Sequence, residues 1–103
     1  MYTTTSAAVE QVPAHQWRTW AETNKATIID VREPYEWAQG KLPSTELISL
    51  GSLPHRLESL DRTKPILVVC RTGSRSQQAA SFLGRAGFRA ANLVGGLVAL
   101  GLA

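Results

Sequence analysis

Apolar positions in this chain fall into short runs, with helix-like or irregular stretches between them. Five runs read as strands: Ala8 to Val12, Thr27 to Val31, Glu46 to Leu50, Pro65 to Val69 and Ala90 to Val94. Ile28-Ile29 and Ile66-Leu67-Val68-Val69 are continuous rather than alternating, as expected for strands covered on both faces. These two are the predicted centre of the sheet. Pro13 to Thr23 predicts a helix that starts at proline and presents Trp17, Trp20 and Ala21 on one face. Leu53, Leu57 and Leu60 recur at helical spacing behind a cap at Gly51 or Ser52. The strongest helix runs from Ser76 to Ala86, with Ala79, Phe82, Leu83 and Ala86 in one stripe and Gly87 as its stop. This alternation predicts one α/β domain with a mostly parallel, five-stranded central sheet and helices on both faces.

With 103 residues the chain has room for one hydrophobic core and one site. Residues 1–6 are expected to form a flexible tail and residues 7–103 the domain. Apolar residues at 44% and charged residues at 18% describe an ordinary globular chain. The net charge is +3, yet the eleven Lys and Arg are spread out rather than massed into the stripe that nucleic acid requires. A basic start followed by an apolar stretch, the mark of a signal peptide, is absent from Met1 to Ser6. The longest apolar stretch, Leu93 to Ala103, is shorter than the ~20 residues that span a bilayer. The expectation is a cytoplasmic protein with no nucleic-acid partner and no membrane segment.

A single cysteine, Cys70, excludes an intramolecular disulfide and a CxxC pair, and a free thiol suits a reducing compartment. It directly follows the most apolar strand and precedes the strongest helix, with Arg71, Thr72, Gly73, Ser74 and Arg75 between. In open α/β sheets the crevice beyond the carboxyl ends of the strands is where ligands bind. A tight turn into a helix start aims unpaired N–H groups inward, which makes it a natural anion cradle. A thiol there, beside a helix dipole and two arginines, should ionise below the ~8.5 of free cysteine. Gly73 supplies positive φ, while Thr72, Ser74 and Ser76 add hydroxyls. The plain alternative is a small buried hydrophobe that ends a core strand. Six polar or glycine residues in a row argue against it, because their donors need an anion or water.

The residues Ile28-Ile29-Asp30-Val31-Arg32-Glu33-Pro34-Tyr35-Glu36-Trp37, Gly40-Lys41-Leu42-Pro43, Val69 to Ser76, Ala86-Gly87-Phe88 and Leu93-Val94-Gly95-Gly96-Leu97, in that order, resemble the rhodanese domain over nearly the whole chain. The resemblance implies Cys70 as nucleophile, a six-residue active-site loop from Cys70 to Arg75, and thiosulfate or another persulfide as donor. It further implies a thiol or cyanide acceptor, protein acceptors included, and no cofactor. Family members often have His at the position of Lys41, Gly-Ala at Ser44-Thr45 and a tryptophan near Leu100, so substrate preference and C-terminal packing can differ here.

Asp30 and Arg32 follow the second strand run and share the sheet edge of Cys70. Either they form a charge network that supports the loop, or Asp30 caps local backbone donors while Arg32 and Glu33 are solvated. His15 and His55 are expected at the surface, and no metal cluster can be assembled. The expected activity is that of a sulfurtransferase working through a Cys70 persulfide. Two rivals stand beside it. Cysteine-dependent phosphatases use a similar loop, but with five residues between cysteine and arginine, where this chain has four. A sulfur carrier or regulatory binding module would keep the cysteine and turn over thiosulfate hardly at all.

Overall fold

The computed structural model describes residues 9–103. The expected tail at 1–6 and the first residue of the first predicted strand, Ala8, lie outside the described residues.

Five strands form one sheet: β1 (Glu10–Pro13), β2 (Thr27–Asp30), β3 (Glu46–Leu47), β4 (Ile66–Val69) and β5 (Ala90–Val94). Their order is β1-β5-β4-β2-β3 and all pairings are parallel. Strand β4 lies at the centre and is buried at every position, which is why its sequence is apolar without alternation. Among the described residues, four α-helices accompany the sheet: α1 (Trp17–Asn24), α2 (Pro34–Trp37), α3 (Ser74–Arg85) and α4 (Gly96–Ala99).

The pleat divides the core in two. Ile29, Val31, Ile66, Val68 and Cys70 face α3 and pack with Ala79, Ala80 and Leu83. Ile28, Leu67, Val69, Ala91 and Leu93 face the other way, with Val12, Ala21 and Leu97 and with Trp17 and Trp20 packed against them. Because side chains alternate along a strand, the register of β4 alone sends Cys70 to the α3 side.

Local structure departs from expectation in four places. Pro13 closes β1, and a 3-10 turn (Ala14–Gln16) precedes α1. The strand expected over Glu46 to Leu50 stops at Leu47, because Leu50 enters a 3-10 stretch (Leu50–His55). That stretch and a second one (Leu57–Ser59) replace the α-helix expected around Leu53 to Leu60. Pro54 lies inside the first. Leu53 and Leu60 still reach the core. Helix α3 starts two residues earlier than predicted, at Ser74 after Gly73. Its stop agrees: Gly87 takes φ +98, and the N–H groups of Gly87 and Phe88 donate to Gly84 and Leu83, a Schellman ending. No helix among the described residues is long and apolar enough to cross a membrane.

Candidate active site

Cys70 lies just past β4, and the chain must turn within three residues to start α3. Gly73 makes that turn at φ +107, where a side chain would be strained, and a Cβ would lie 3.3 Å from the Gly95 backbone nitrogen. The second glycine of the Gly95-Gly96 pair serves the same loop. It sits at φ +62 against Arg71, whose carbonyl a Cβ would overlap. This close approach lets Leu97 donate to the Cys70 carbonyl at 2.9 Å and Val98 to the Arg71 carbonyl at 3.0 Å. The loop is thus held from outside by the N-terminal turn of α4, which leaves its own N–H groups free to point inward.

They point at sulfur. Gly73 donates its N–H to Cys70 Sγ at 3.1 Å and Ser76 donates at 3.3 Å. The Ser76 hydroxyl lies 3.3 Å from Sγ. Cys70 is fully buried, and burial by itself pushes its thiol pKa up. The Ser76 hydroxyl and the N–H groups of Ser76, Gly73 and Thr72 outweigh that cost and hold it below the ordinary thiol value. Because α3 starts at Ser74, half of the cradle is the helix's own first turn, whose N–H groups have no intrahelical partner. Of the loop side chains, Arg71, Thr72 and Ser74 are exposed. Arg71 makes no side-chain hydrogen bond or ion pair among the described residues, so its charge is available to a visiting anion.

Arg75 is committed elsewhere. Its guanidinium grips both oxygens of Glu36 at 2.7 and 2.9 Å. This bidentate pair brings the Glu36 carboxyl down to about 2, against a partial cost of burial and with help from the Glu33 N–H, and it raises the Arg75 pKa. Glu36 is itself placed by Arg32, which is 1% exposed. Arg32 binds both oxygens of the buried Asp30, at 2.8 to 3.1 Å, and donates to the carbonyls of Glu36 at 3.2 Å and Gly40 at 2.7 Å. Asp30 also accepts the Arg32 backbone N–H at 3.0 Å, so it caps a local donor as well as pairing, and Arg32 is buried rather than solvated. They fix the backbone of α2, and α2 presents the carboxylate that fixes Arg75. Sequence reasoning quoted Glu36 within a motif but gave it no role. The available signal was a capping box, since Glu36 stands three residues after Glu33 and accepts its N–H at 2.9 Å.

Asn92 was missed altogether. It is 5% exposed in an otherwise apolar strand, and such an amide needs partners. Its Oδ1 accepts from the Ser76 hydroxyl at 2.5 Å, and its Nδ2 donates to Gln11 Oε1 at 3.0 Å. The polar position at the centre of the Ala90-Ala91-Asn92-Leu93-Val94 run was the signal that could have found it. His15 and His55 are exposed. Lys41, Pro43 and Ser44, around the family departures, line shallow grooves with Trp17 and Arg18 over α1. Ser44 takes φ +58, which gives a backbone reason why glycine suits that position.

The profile of the Rhodanese-like domain family matches residues 14–102. A putative sulfurtransferase of Bacillus subtilis is 39% identical over 72 residues, 70% of either chain. A thiosulfate sulfurtransferase of Pseudoalteromonas translucida is 36% identical over 61 residues, 59% of this chain and 58% of that one. The crystal structure of a rhodanese-like domain protein from Staphylococcus aureus superposes with a TM-score of 0.81 at 28% identity, covering 88% of this chain and 90% of the other. With the sheet order, the Cys70 loop and these likenesses in agreement, the chain belongs to the rhodanese-like domain family.

Proposed function

We propose that this protein is a sulfurtransferase that carries sulfane sulfur as a Cys70 persulfide, from thiosulfate or a similar anionic donor to a thiophilic acceptor. The observation that carries the reading is the set of N–H groups of Gly73 and Ser76 aimed at Cys70 Sγ. The Cys70 thiolate attacks the outer sulfur of thiosulfate. A new S–S bond forms, the S–S bond of thiosulfate breaks, and its electron pair leaves with sulfite. Cyanide or a thiolate acceptor then attacks the outer sulfur of the persulfide and the pair returns to Cys70. Two displacements through a covalent intermediate predict ping-pong kinetics. The cradle serves the anion in both states, as an oxyanion hole does for oxygen. Arg71 draws the donor in, and the exposed loop residues 71 and 72 must part to admit it to a fully buried sulfur.

The relatives' names support sulfur transfer as the reaction class. Two features speak against phosphoryl transfer: the loop is one residue shorter than a phosphatase cradle, and Arg75 spends its fork on Glu36 rather than on a ligand. The test is intact-protein mass spectrometry after thiosulfate. One added sulfur is expected, lost in Cys70→Ser; an equal gain in the serine variant would sink the assignment. Adding cyanide separates enzyme from carrier, since an enzyme forms thiocyanate over many turnovers and a carrier only once.

A further inference from the structure

The hydrogen bonds around Ser76 have a direction, and the direction can be read from one backbone carbonyl. Gln11 Nε2 lies 3.1 Å from the Val9 carbonyl, which can only accept, so the amide nitrogen of Gln11 must be on that side. The same nitrogen donates its other hydrogen to Gln77 Oε1 at 2.7 Å. Gln11 Oε1 is therefore the atom that meets Asn92, which must present its Nδ2, at 3.0 Å. That leaves Asn92 Oδ1 facing Ser76, and because it too can only accept, the Ser76 hydroxyl proton points to Asn92, at 2.5 Å. A hydroxyl has one proton. With that proton spent on Asn92, Ser76 Oγ can only accept from Cys70, 3.3 Å away.

We propose that Asn92 and Gln11 are positioning residues that set which way the Ser76 hydroxyl points, and thereby hold Cys70 as a thiol until a charge on sulfur turns that hydroxyl round. Four links run outward from the sulfur in one sense: Cys70 S–H to Ser76, Ser76 to Asn92, Asn92 to Gln11, Gln11 to Gln77. When Cys70 loses its proton to water, or carries an anionic outer sulfur, the Ser76 hydroxyl swings to donate inward and Asn92 Oδ1 loses its donor. The backbone N–H groups of Gly73 and Ser76 favour the anion in every state; the Asn92 arm opposes it. This arm would keep a resting cysteine from standing permanently ionised and open to oxidation, a purpose that rests on the persulfide reading of Cys70 proposed above. The geometric argument does not.

The charged and titratable groups around Cys70 are confined to other directions. Arg71 belongs to the loop, Arg75 comes from α3, Tyr35 and Glu36 come from α2, and the Asp30–Arg32 pair ends β2. Strand β5 and helix α4 bring none, so substitutions at Asn92 leave the local charges in place.

The readout is the pH midpoint of Cys70 alkylation by iodoacetamide, which reports the thiol whatever its rate of exposure. Asn92→Ala frees the Ser76 hydroxyl for sulfur, and the midpoint should fall by about one pH unit, the difference between a neutral and a charge-assisted hydrogen bond. Gln11→Leu, at an exposed position, lets the Asn92 amide turn over and should lower the midpoint by a smaller step. Ser76→Ala should raise it, and adding Asn92→Ala to that variant should then change nothing. The proposal fails if Asn92→Ala leaves the midpoint in place or raises it, or if the same fall persists without the Ser76 hydroxyl. Should Asn92→Ala not fold, Gln11→Leu decides alone: a fall supports the proposal and an unchanged midpoint overturns it. Sulfur loading from thiosulfate, followed by mass on the same samples, tests the function separately, because the midpoints move as stated whether or not Cys70 accepts sulfur.

Discussion

Cys70 has two differently built sides. Toward β2 and α2 stand four charged groups, Asp30, Arg32, Glu36 and Arg75, joined through two ion pairs and the α2 backbone. Toward β5 and β1, the groups linked to the sulfur among the described residues are neutral: Ser76, Asn92, Gln11 and Gln77. The charged side braces the loop and saturates itself, while the sulfur's own hydrogen-bond partners are neutral. Full charges beside the thiol would lock it in one ionisation state; dipoles stabilise an anion and still let the proton return. The division suggests that the charges serve stability and the dipoles serve chemistry, which substitution can separate.

The largest effect is expected on the charged side. Arg32→Met leaves the Asp30 carboxylate buried without its partner and should cost about 3–5 kcal/mol in urea unfolding. Replacing both, as Asp30→Leu with Arg32→Met, should recover much of that loss; a double variant as unstable as the single one would mean that the contacts of Arg32 with the Glu36 and Gly40 carbonyls dominate.

Glu36→Gln should cost about 1–2 kcal/mol at neutral pH, reduced from the full pKa shift because the Arg75 guanidinium is a third exposed. The folded pKa of about 2 lies below the ordinary 4.5, so this stability is present above pH 4.5 and disappears as pH falls toward 2. Unfolding curves of the two proteins should converge over that window. A constant gap would show that the glutamate acts through packing.

Arg71 belongs to neither side, and its replacement sharpens the contrast. Arg71→Ala should lower kcat/KM for thiosulfate about tenfold at low salt, with less effect on an uncharged sulfur donor and none on stability. Equal losses with both donors would make Arg71 a part of the loop's framework.

The smallest effect is expected far from both sides. Ser44→Gly should relieve a left-handed serine and stabilise the protein by about 0.5–1 kcal/mol, without altering sulfur transfer. A change in donor preference would bring the loop at 41–45 into the site, where the His and Gly-Ala of other family members would then matter.

Strong local patterns were readable in advance. The uninterrupted Ile66 to Val69 run announced a central strand, the stripe through Ala79 and Leu83 announced α3, and the Cys70 to Arg75 stretch announced the site. The short elements were not readable. Helices α2 and α4 have four residues each, too few for a period to show, and the leucine spacing at Leu53, Leu57 and Leu60 is met by two 3-10 stretches rather than an α-helix. Arg71 and Arg75 look equivalent in sequence, two residues of one type in one loop. Only the folded chain sends one to Glu36, 39 positions away, and leaves the other to solvent.

The amino-acid sequence by itself determined the α/β architecture, the place of the cysteine at a strand's carboxyl end, and the turn that aims N–H groups at it. Each of these follows from neighbours in the chain, through periodicity, glycine at positive φ and the unpaired donors of a helix start. The partners of those groups were decided by the tertiary structure alone. Glu36 reaches Arg75, and Asn92 reaches Ser76 and Gln11, only because a parallel sheet lays β1 beside β5 and β2 beside β4. A hydrogen bond depends on distance and direction in space, and residues 81 positions apart carry no mark of either until the chain is folded.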